Sequence, residues 1–273
     1  MEPATWRIIR TPPKPGAWNM AVDEAILEAV ISGHSLPTLR LYAWEPACLS
    51  LGLAQPFKDV DIPALTDRGW HLVRRPTGGR AILHVDELTY SVSAPLDEPR
   101  LAGGVMESYR HLSQALVAAL EKIGLAARAD KEYQLSSNTT PGGAVCFETP
   151  SNYEITVQGR KLIGSAQARR KGGVLQHGSL PLSGDLTRIV KVLAYPDQIT
   201  REEAAVSLLT HAVNAEMLGF NVSWETAAAS FCAAFEEVLN LKLIEGNLTA
   251  EELGRAEQLE VLKYGSPAWT KRF

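Results

Sequence analysis

The feature that most constrains the fold is a series of short strand-like runs that follow one another without helices between them. They are TLRLYAW (38–44), CLSLGL (48–53), HLVRRP (71–76), RAILH (80–84) and LTYSVSA (88–94). Consecutive strands joined by turns pair mostly antiparallel, whereas a parallel sheet needs a crossover helix between its strands. The sequence therefore predicts an α+β (α/β) protein with a mixed, largely antiparallel sheet covered by helices.

Helical and hairpin patterns complete this prediction. NMAVDEAILEAVISG (19–33) and VMESYRHLSQALVAALEKIGL (105–125) have the periodicity of amphipathic helices, and Gly33 is a stop signal for the first. YEITV (153–157) and RKLIGSA (160–166) flank the two-residue turn Gln158-Gly159, which is typical of a hairpin, and GVLQHGSLPL (173–182) follows as a third strand.

The remainder of the chain has a helical pattern. Thr200 with Glu203, and Thr249 with Glu252, have the spacing of capping boxes. Because no linker or repeat interrupts the sequence, we expect one domain over residues 1–273. Residues 185–273 are expected to be a mostly helical C-terminal portion of that same domain.

Composition excludes several functional classes. The net charge of −4 does not suit a general nucleic-acid binder, and no apolar run has the length of a membrane span. Three widely spaced cysteines give neither a disulfide framework nor a metal-binding spacing, which suits a reducing compartment. We expect a cytoplasmic protein with no metal, cofactor, nucleic-acid or membrane partner.

Three segments are candidates for chemistry. RRPTGGRAILH (74–84) places two glycines and several arginines between strands, which suits either a ligand near the backbone with an anionic group near the arginines, or an ordinary tight turn. It lacks the ending of a phosphate-binding P-loop. In GRKLIGSAQARRKGGVLQHGSL (159–180), Lys161 is either a solvated hairpin residue or a buried cation, and His177 is either a base or a structural group.

Cys146 is the third candidate, within GGAVCFETPSNYEI (142–155). Free cysteines are commonly buried and inert, and Cys48 and Cys232 are expected to be so. Cys146 differs because it precedes the hairpin that carries Lys161. A cation beside a thiol favours the thiolate, which is the nucleophilic form.

Together these segments resemble the lipoate–protein ligase and octanoyltransferase family, whose catalytic domain is shared with biotin ligases. The resemblance is carried by five segments in order: WNMAVDEAIL (18–27), RRPTGGRAILH (74–84), ELTYSV (87–92), GRKLIGSAQARRKGGVLQHGSL (159–180) and KYGSPAWTKRF (263–273). Within the family the chain is most similar to the octanoyltransferases that take the acyl group from a carrier protein. Arg80 stands where ATP-using ligases typically have a third glycine, and Cys146-Phe147-Glu148 matches the cysteine motif of the transferases.

The resemblance implies the biotin/lipoate ligase-like fold and a specific activity. An octanoyl group would pass from octanoyl-acyl carrier protein to a lysine of a lipoyl domain, such as that of the glycine cleavage H protein, in an early step of lipoate biosynthesis. Cys146 would carry the acyl group as a thioester, and Lys161 would lower the pKa of its thiol. The predicted substrate-binding residues are Arg75, Gly78, Gly79, Arg80, His84, Gly164, Ser165, Ala166 and His177.

Two further points belong to this comparison. The family commonly has Asp directly after the histidine of RRPTGGRAILH, but Val85 follows His84 here and the acid is Asp86. The acidic carrier substrates are expected to need a basic surface, for which ARRK (168–171), Arg74 and Arg80 are candidates.

Three other functions remain open from the sequence. One is an amidotransferase that moves octanoyl from H protein to other dehydrogenase subunits. Another is an ATP-dependent lipoate–protein ligase, and the last is a non-catalytic sensor of an acyl or biotinyl ligand.

Overall fold

The computed structural model describes residues 2–130, 154–170 and 172–273. The strands are β1 (Ala4–Arg10), β2 (Thr38–Tyr42), β3 (Cys48–Leu51), β4 (His71–Arg74), β5 (Ile82–His84), β6 (Glu87–Pro95), β7 (Arg128–Asp130), β8 (Glu154–Val157), β9 (Arg160–Arg170), β10 (Gly173–Pro181) and β11 (Leu241–Glu245). The helices are α1 (Gly16–Ile31), α2 (Ile62–Asp67), α3 (Val105–Lys122), α4 (Gln198–His211), α5 (Trp224–Leu239), α6 (Ala250–Leu259) and α7 (Pro267–Thr270). None of these helices is long and apolar enough to cross a bilayer.

Eight strands form the main sheet, in the order β11-β1-β2-β6-β10-β9-β8-β7. All pairings from β2 to β7 are antiparallel, and only the two pairings of β1, with β11 and with β2, are parallel. The predicted fold class, a mixed and largely antiparallel sheet covered by helices, is confirmed.

Helices cover both faces of the main sheet. Ser91 donates a hydrogen bond to Asp23 on α1, whereas the preceding residue, Tyr90, packs its ring against Phe231 and Phe235 of α5. Because successive strand residues point to opposite faces, α1 and α5 lie on opposite sides of the sheet. The face that α1 covers is called the α1 face below.

A second sheet of three strands, β4-β3-β5, lies over the α1 face. Ser50 of β3 contacts His84 of β5, and His84 reaches Glu87 and Ser179 on the main sheet. The space between the two sheets is where most of the predicted substrate-binding residues meet.

Some of the local signals predicted from the sequence are confirmed by the structure, and one is wrong. The Thr249–Glu252 capping box forms, and Gly33 has φ +73 just past the end of α1. The Thr200–Glu203 box is wrong, because Asp197 caps α4 and accepts a hydrogen bond from the Thr200 backbone amide. The C-terminal portion also contains a strand, β11, that pairs with β1 at the sheet edge.

Candidate active site

Lys161 owes its position to an irregularity in the β8–β9 hairpin. Thr156 pairs with Lys161 and Ile155 pairs with Ile163, so Leu162 is an extra residue in β9 and forms a β-bulge. Paired residues of neighbouring strands point to the same face. Thr156 and Ile155 point to opposite faces, and Lys161 and Ile163 therefore do so too. The bulge turns Lys161 to the face shared by Gly164, which is the α1 face.

The Lys161 ammonium is buried and paired with a carboxylate. Its side chain is 2% exposed, and Nζ donates to Glu154 Oε1 at 2.7 Å, with Glu154 also 2% exposed. A buried cation is held in place when a carboxylate compensates its charge. Glu154 was not predicted, because the sequence places it seven residues away and only the hairpin brings the two groups together.

Cys146 lies outside the described residues, so the predicted Cys146–Lys161 pair stays a prediction. The two other cysteines have the predicted character. Cys48 is fully buried, and burial raises the pKa of its thiol. Cys232 is half-buried, and burial raises the pKa of its thiol despite the nearby Arg10.

A narrow cavity lies between the two sheets on the α1 face, and we call it the slot. Six predicted substrate-binding residues line it: Arg75, His84, Gly164, Ser165, Ala166 and His177. Eight residues that were not among the predicted binding residues also line it: Met20, Tyr42, Trp44, Ser50, Ile82, Thr89, Gly178 and Ser179. The slot combines apolar walls with a few polar groups, as small-molecule sites do.

His84 is held by a network of buried hydrogen bonds. Its Nδ1 lies 2.7 Å from Glu87 Oε1, and its Nε2 lies 2.7 Å from Ser50 Oγ. Because a carboxylate only accepts, Nδ1 donates and Nε2 accepts from Ser50. Thr89 and Ser179 also donate to Glu87. The imidazole is therefore fixed in one tautomer and one orientation at the slot.

His177 forms a second arrangement of this kind. Its Nε2 lies 2.7 Å from Thr77 Oγ1, whereas its Nδ1 lies 3.7 Å from Asp23 Oδ2, too far for a hydrogen bond. Burial lowers the pKa of His177 although Asp23 opposes the shift, so the ring is neutral at pH 7. Burial is the largest influence on the pKa of Asp23 and raises it, but Arg40 at 2.7 Å and the neighbouring His177 together outweigh burial, and the net pKa is lowered. The wall of the slot thus includes a neutral imidazole.

Arg75 binds protein groups, not solvent. Its guanidinium donates to the Ser50 carbonyl and hydroxyl at 3.1 Å, to the Gly78 carbonyl at 2.8 Å and to the Arg80 carbonyl at 2.7 Å. These bonds tie the Thr77–Arg80 loop to β3, so Arg75 shapes the slot through the loop.

The structure does not bring Gly78, Gly79 or Arg80 to the slot lining. Both glycines are exposed and Arg80 is half-buried, because the loop turns outward after Thr77. Gly79 has φ +90, and its carbonyl oxygen lies where a Cβ on Gly52 would be, 1.8 Å away. The loop packs closely on Gly52. The predicted contact of the two glycines with the substrate stays a prediction.

Not every residue of the predicted basic surface is exposed. Arg74 is fully buried and donates to the carbonyls of Gly52, Gln55 and Thr270, so it cannot contact a docking protein. Arg169 donates to backbone carbonyls around Gly103. Arg170 is exposed, whereas Lys171 lies outside the described residues.

Asp86, the acid that follows Val85 where the family commonly has Asp directly after the histidine, has its partner outside the slot. Asp86 has φ +50, and its carboxylate accepts from Arg188 at 2.7 Å. It therefore fixes the segment after β10 and does not face His84. Among the described residues there is no cluster of His, Cys, Asp or Glu suited to a metal ion.

Comparison with known proteins identifies the family. The model of the lipoyl protein ligase A/B catalytic domain matches residues 15–236. The chain belongs to this family. The sequence resemblance is confirmed: four of the five segments that carried it lie within this range, and KYGSPAWTKRF (263–273) lies beyond it.

Relatives in the family match over their full lengths. An octanoyltransferase LipM from Kyrpidia tusciae is 44% identical over 273 residues, covering 98% of this chain and 99% of that protein. An octanoyltransferase LipM from Bacillus subtilis is 38% identical over 276 residues, with 98% and 99% coverage.

Solved structures in the family share the fold. A chain from the solved structure of a bi-partite lipoate protein ligase and its E2 lipoyl domain from Thermoplasma acidophilum matches with a TM-score of 0.82 at 25% identity. The match covers 98% of this chain and 96% of that chain. Lipoate-protein ligase A bound with ATP matches with a TM-score of 0.77 at 28% identity, over 99% of each chain.

Proposed function

We propose that this protein is an octanoyltransferase that moves an octanoyl group from octanoyl-acyl carrier protein to a lysine of a lipoyl domain, in lipoate biosynthesis. Cys146 carries the acyl group as a thioester between the two half-reactions. Full-length similarity to octanoyltransferases supports the enzyme class. The observation that best supports the site is the buried Lys161–Glu154 pair, which the bulge turns to the face of the slot.

The first half-reaction is an exchange of thioesters. The Cys146 thiolate attacks the octanoyl carbonyl carbon, a new carbon–sulfur bond forms, and the carrier's thiol leaves. The reaction is close to thermoneutral, so it needs no ATP. An ordinary cysteine with a pKa of about 8.5 is only slightly ionised at pH 7, and the Lys161 ammonium favours its thiolate. The same ammonium stabilises the negative charge that develops on the carbonyl oxygen.

The second half-reaction forms an amide. The neutral ε-amine of the acceptor lysine attacks the carbonyl carbon of the Cys146 thioester and a carbon–nitrogen bond forms. The carbon–sulfur bond breaks, and the proton of the amine passes to solvent. The Cys146 thiolate is regenerated, with Lys161 again favouring its charge. Conversion of a thioester to an amide is downhill, which drives the overall transfer.

The slot is the proposed site for the acyl chain. Its cavity is about 20 Å³ as it stands, so its walls must separate for the chain to enter. Roughly seven methylenes, each contributing about 0.8 kcal/mol when buried, provide about 5 kcal/mol. Gly164 and Ala166 lie on the α1 face beside His177 and Ser179, so the chain crosses strands with small side chains. Neutral His177 adds no charge to this apolar path.

A cysteine variant tests the proposal. Cys146→Ser is expected to abolish octanoyl transfer while circular dichroism and the melting temperature stay at the wild-type values. Cys232→Ser is the matched control, because Cys232 is half-buried beside Arg10 on α5 and is expected to leave transfer intact. A folded Cys146→Ser protein with undiminished turnover contradicts the proposal.

The donor is tested separately. Octanoyl-acyl carrier protein is expected to be a better donor than octanoyl-H protein, and transfer is expected without ATP. Preference for octanoyl-H protein assigns the amidotransferase reaction instead. ATP-dependent release of pyrophosphate with free lipoate assigns the ligase reaction.

A further inference from the structure

A group of exposed cations lies where two distant segments of the chain meet beside β4. The Arg74 guanidinium donates to the Thr270 carbonyl at 2.8 Å, and the Phe57 amide donates to the Phe273 carbonyl at 2.8 Å. These bonds hold the residues after α7 against the segment that follows β3. We call the three exposed cations of these two segments the tail patch: Lys58, Lys271 and Arg272.

The positive charge of the tail patch lacks a carboxylate partner in the part of the chain that the structure describes. None of its three cations forms an ion pair with a described Asp or Glu side chain. Asp59, the acid next to Lys58, accepts from Gln55 at 3.1 Å. By contrast, Lys263 pairs with Glu24 of α1. Like charges repel one another, so the free protein gains no electrostatic stability from collecting them here, and an acidic partner would neutralise them.

Aromatic rings support these cations. Lys271 Nζ lies 5.4 Å from the centre of the Phe57 ring. The Arg272 guanidinium lies 4.8 Å from the centre of the Phe273 ring, and Phe273 is 51% exposed. Cation–π attraction holds the charges in place without neutralising them. Arginine and aromatic side chains are enriched at protein interfaces, so the tail patch has the composition of a docking surface for an acidic protein.

The tail patch and the slot lie on opposite sides of the three-stranded sheet. Ser50 of β3 lines the slot and pairs with Val73 of β4, whereas the next residue, Leu51, pairs with Arg74. Because successive strand residues point to opposite faces, Arg74 points away from the slot. Phe57 packs against the hydrophobic cluster that contains Leu51, on this outer side. A protein docked on the tail patch is therefore separated from the slot by the three-stranded sheet.

We infer that the tail patch is the docking surface for octanoyl-acyl carrier protein, the donor of the first half-reaction. This inference rests on the proposed function, because it names how that donor is bound. Stacked sheets lie about 10 Å apart, so a protein on the outer side of the three-stranded sheet is at least this far from Lys161 on the main sheet. An acyl carrier protein bridges such a distance, because it presents its thioester at the end of a long, flexible phosphopantetheine arm. The side chain of an acceptor lysine is too short to do so, and the lipoyl domain therefore docks elsewhere.

Charge reversal tests the inference. The double variant Lys271→Glu/Arg272→Glu replaces attraction by repulsion, so the KM for octanoyl-acyl carrier protein is expected to rise roughly tenfold with little change in kcat. Added salt is expected to raise the wild-type KM and to affect that of the variant less. Octanoyl-pantetheine has the thioester but no carrier protein, so it is expected to acylate Cys146 equally fast in both enzymes. Circular dichroism checks the fold, and Lys271→Gln/Arg272→Gln is the milder pair if the double reversal is unstable.

Lys122→Glu/Lys242→Glu is the matched control, because it changes the net charge by the same amount. Lys122 pairs with Glu237 of α5, on the face of the main sheet opposite to α1, and Lys242 is exposed on the edge strand β11. The KM of this variant for octanoyl-acyl carrier protein is expected to stay at the wild-type value.

Other results overturn the inference. An unchanged KM in the folded tail-patch variant, or an equal rise in the control, would show that the tail patch does not bind the donor. An equal loss with octanoyl-pantetheine would show that the tail patch acts only through the fold. Normal loading of Cys146 with slower discharge to a lipoyl domain would assign the surface to the acceptor. If wild type accepts octanoyl from neither donor, the proposed function itself fails, and the two failures are thereby distinguished.

Discussion

The Lys161–Glu154 pair is the residue-scale feature on which the proposed chemistry depends. Both side chains are 2% exposed and their charged atoms lie 2.7 Å apart. Desolvating an ion pair is costly, and such pairs often contribute little to net stability. We attribute the retention of this pair to the position and charge that Glu154 gives to Lys161.

Replacing Glu154 by glutamine tests this role. Glu154→Gln keeps the shape but removes the compensating charge, so the free energy of unfolding is expected to fall by about 3 kcal/mol. The rate of Cys146 acylation is expected to fall at least tenfold, because the ammonium is no longer held in place. Stopped-flow acylation of the folded enzyme measures this.

A second buried pair provides the control. Glu252 pairs with Arg7, and its side chain is fully buried. Glu252→Gln is expected to lose stability but to acylate Cys146 at the wild-type rate. Equal acylation rates in the two variants would show that Glu154 is only structural.

Single residues differ in how far the sequence revealed them. From the residues alone, Lys161 and His177 were each as consistent with a structural role as with a functional one. Lys161, His84 and His177 were singled out by the resemblance of their segments to the family. Ser50, Thr89 and Ser179 are ordinary hydroxyl residues on strands. Only the packing of the small sheet on the main sheet gives them partners, and no sequence spacing indicates that packing.

At the scale of elements, the hairpin turn was predictable and its bulge was not. Gln158 and Gly159 have φ +53 and +74, as a type I′ turn requires. Simple alternation along β9 puts Lys161 on the face of Ile163. The register shift places Lys161 on the opposite face from Ile163. The shift arises from strand pairing that the local sequence does not encode.

Strand β11 illustrates the same limit. LKLIE follows a long helix and is half exposed, so a helical tail was the simpler prediction. The strand forms because β1 offers an open edge, to which residues 241–245 add in parallel. Pairing over this sequence distance has no local signature.

Gly52 gives an element-scale prediction. A Cβ there meets the Gly79 carbonyl oxygen at 1.8 Å, so Gly52→Ala is expected to displace the Thr77–Arg80 loop and cost about 1–3 kcal/mol of stability. Octanoyl transfer is expected to fall with it, since Thr77 holds His177. Thermal unfolding and transfer assays measure both effects.

Gly254 is the control for that substitution. It lies within α6, and a Cβ there meets nothing within 4 Å. Gly254→Ala is expected to leave transfer unchanged and to raise helix stability by about 1 kcal/mol. A Gly52→Ala protein as stable and active as Gly254→Ala would contradict the close-packing explanation.

At the scale of the whole molecule, the slot depends on contributions from distant parts of the chain. Met20 comes from α1, Ser50 from β3, Thr89 from β6, and His177 from β10. The sequence predicted the sheet and about half of the slot lining. The remainder follows from how the two sheets and α1 pack together, which the order of elements alone does not determine.

Burial of His177 makes folding stability depend on pH. Its pKa in the folded protein is lowered below the ordinary 6.5, so between these two values the unfolded chain binds more protons. The free energy of unfolding is therefore expected to fall as the pH drops below about 6.5. Urea unfolding at pH 7.5 and at lower pH values measures the slope.

Variants test whether the His177 ring causes this pH dependence of the free energy of unfolding. His177→Gln removes the titrating group and is expected to flatten the slope between about pH 6.5 and 5. His34→Gln is the control, because the His34 ring is largely exposed and is expected to change the slope little. An unchanged slope in His177→Gln would mean that other groups cause it.

The central claim is that a thiol of this chain carries the octanoyl group between two proteins. Intact-protein mass spectrometry after mixing with octanoyl-acyl carrier protein tests it most directly. We predict one octanoyl adduct that hydroxylamine removes, that a lipoyl domain discharges, and that maps to the peptide containing Cys146. Efficient transfer with no adduct, or an adduct on a different residue, would contradict the account.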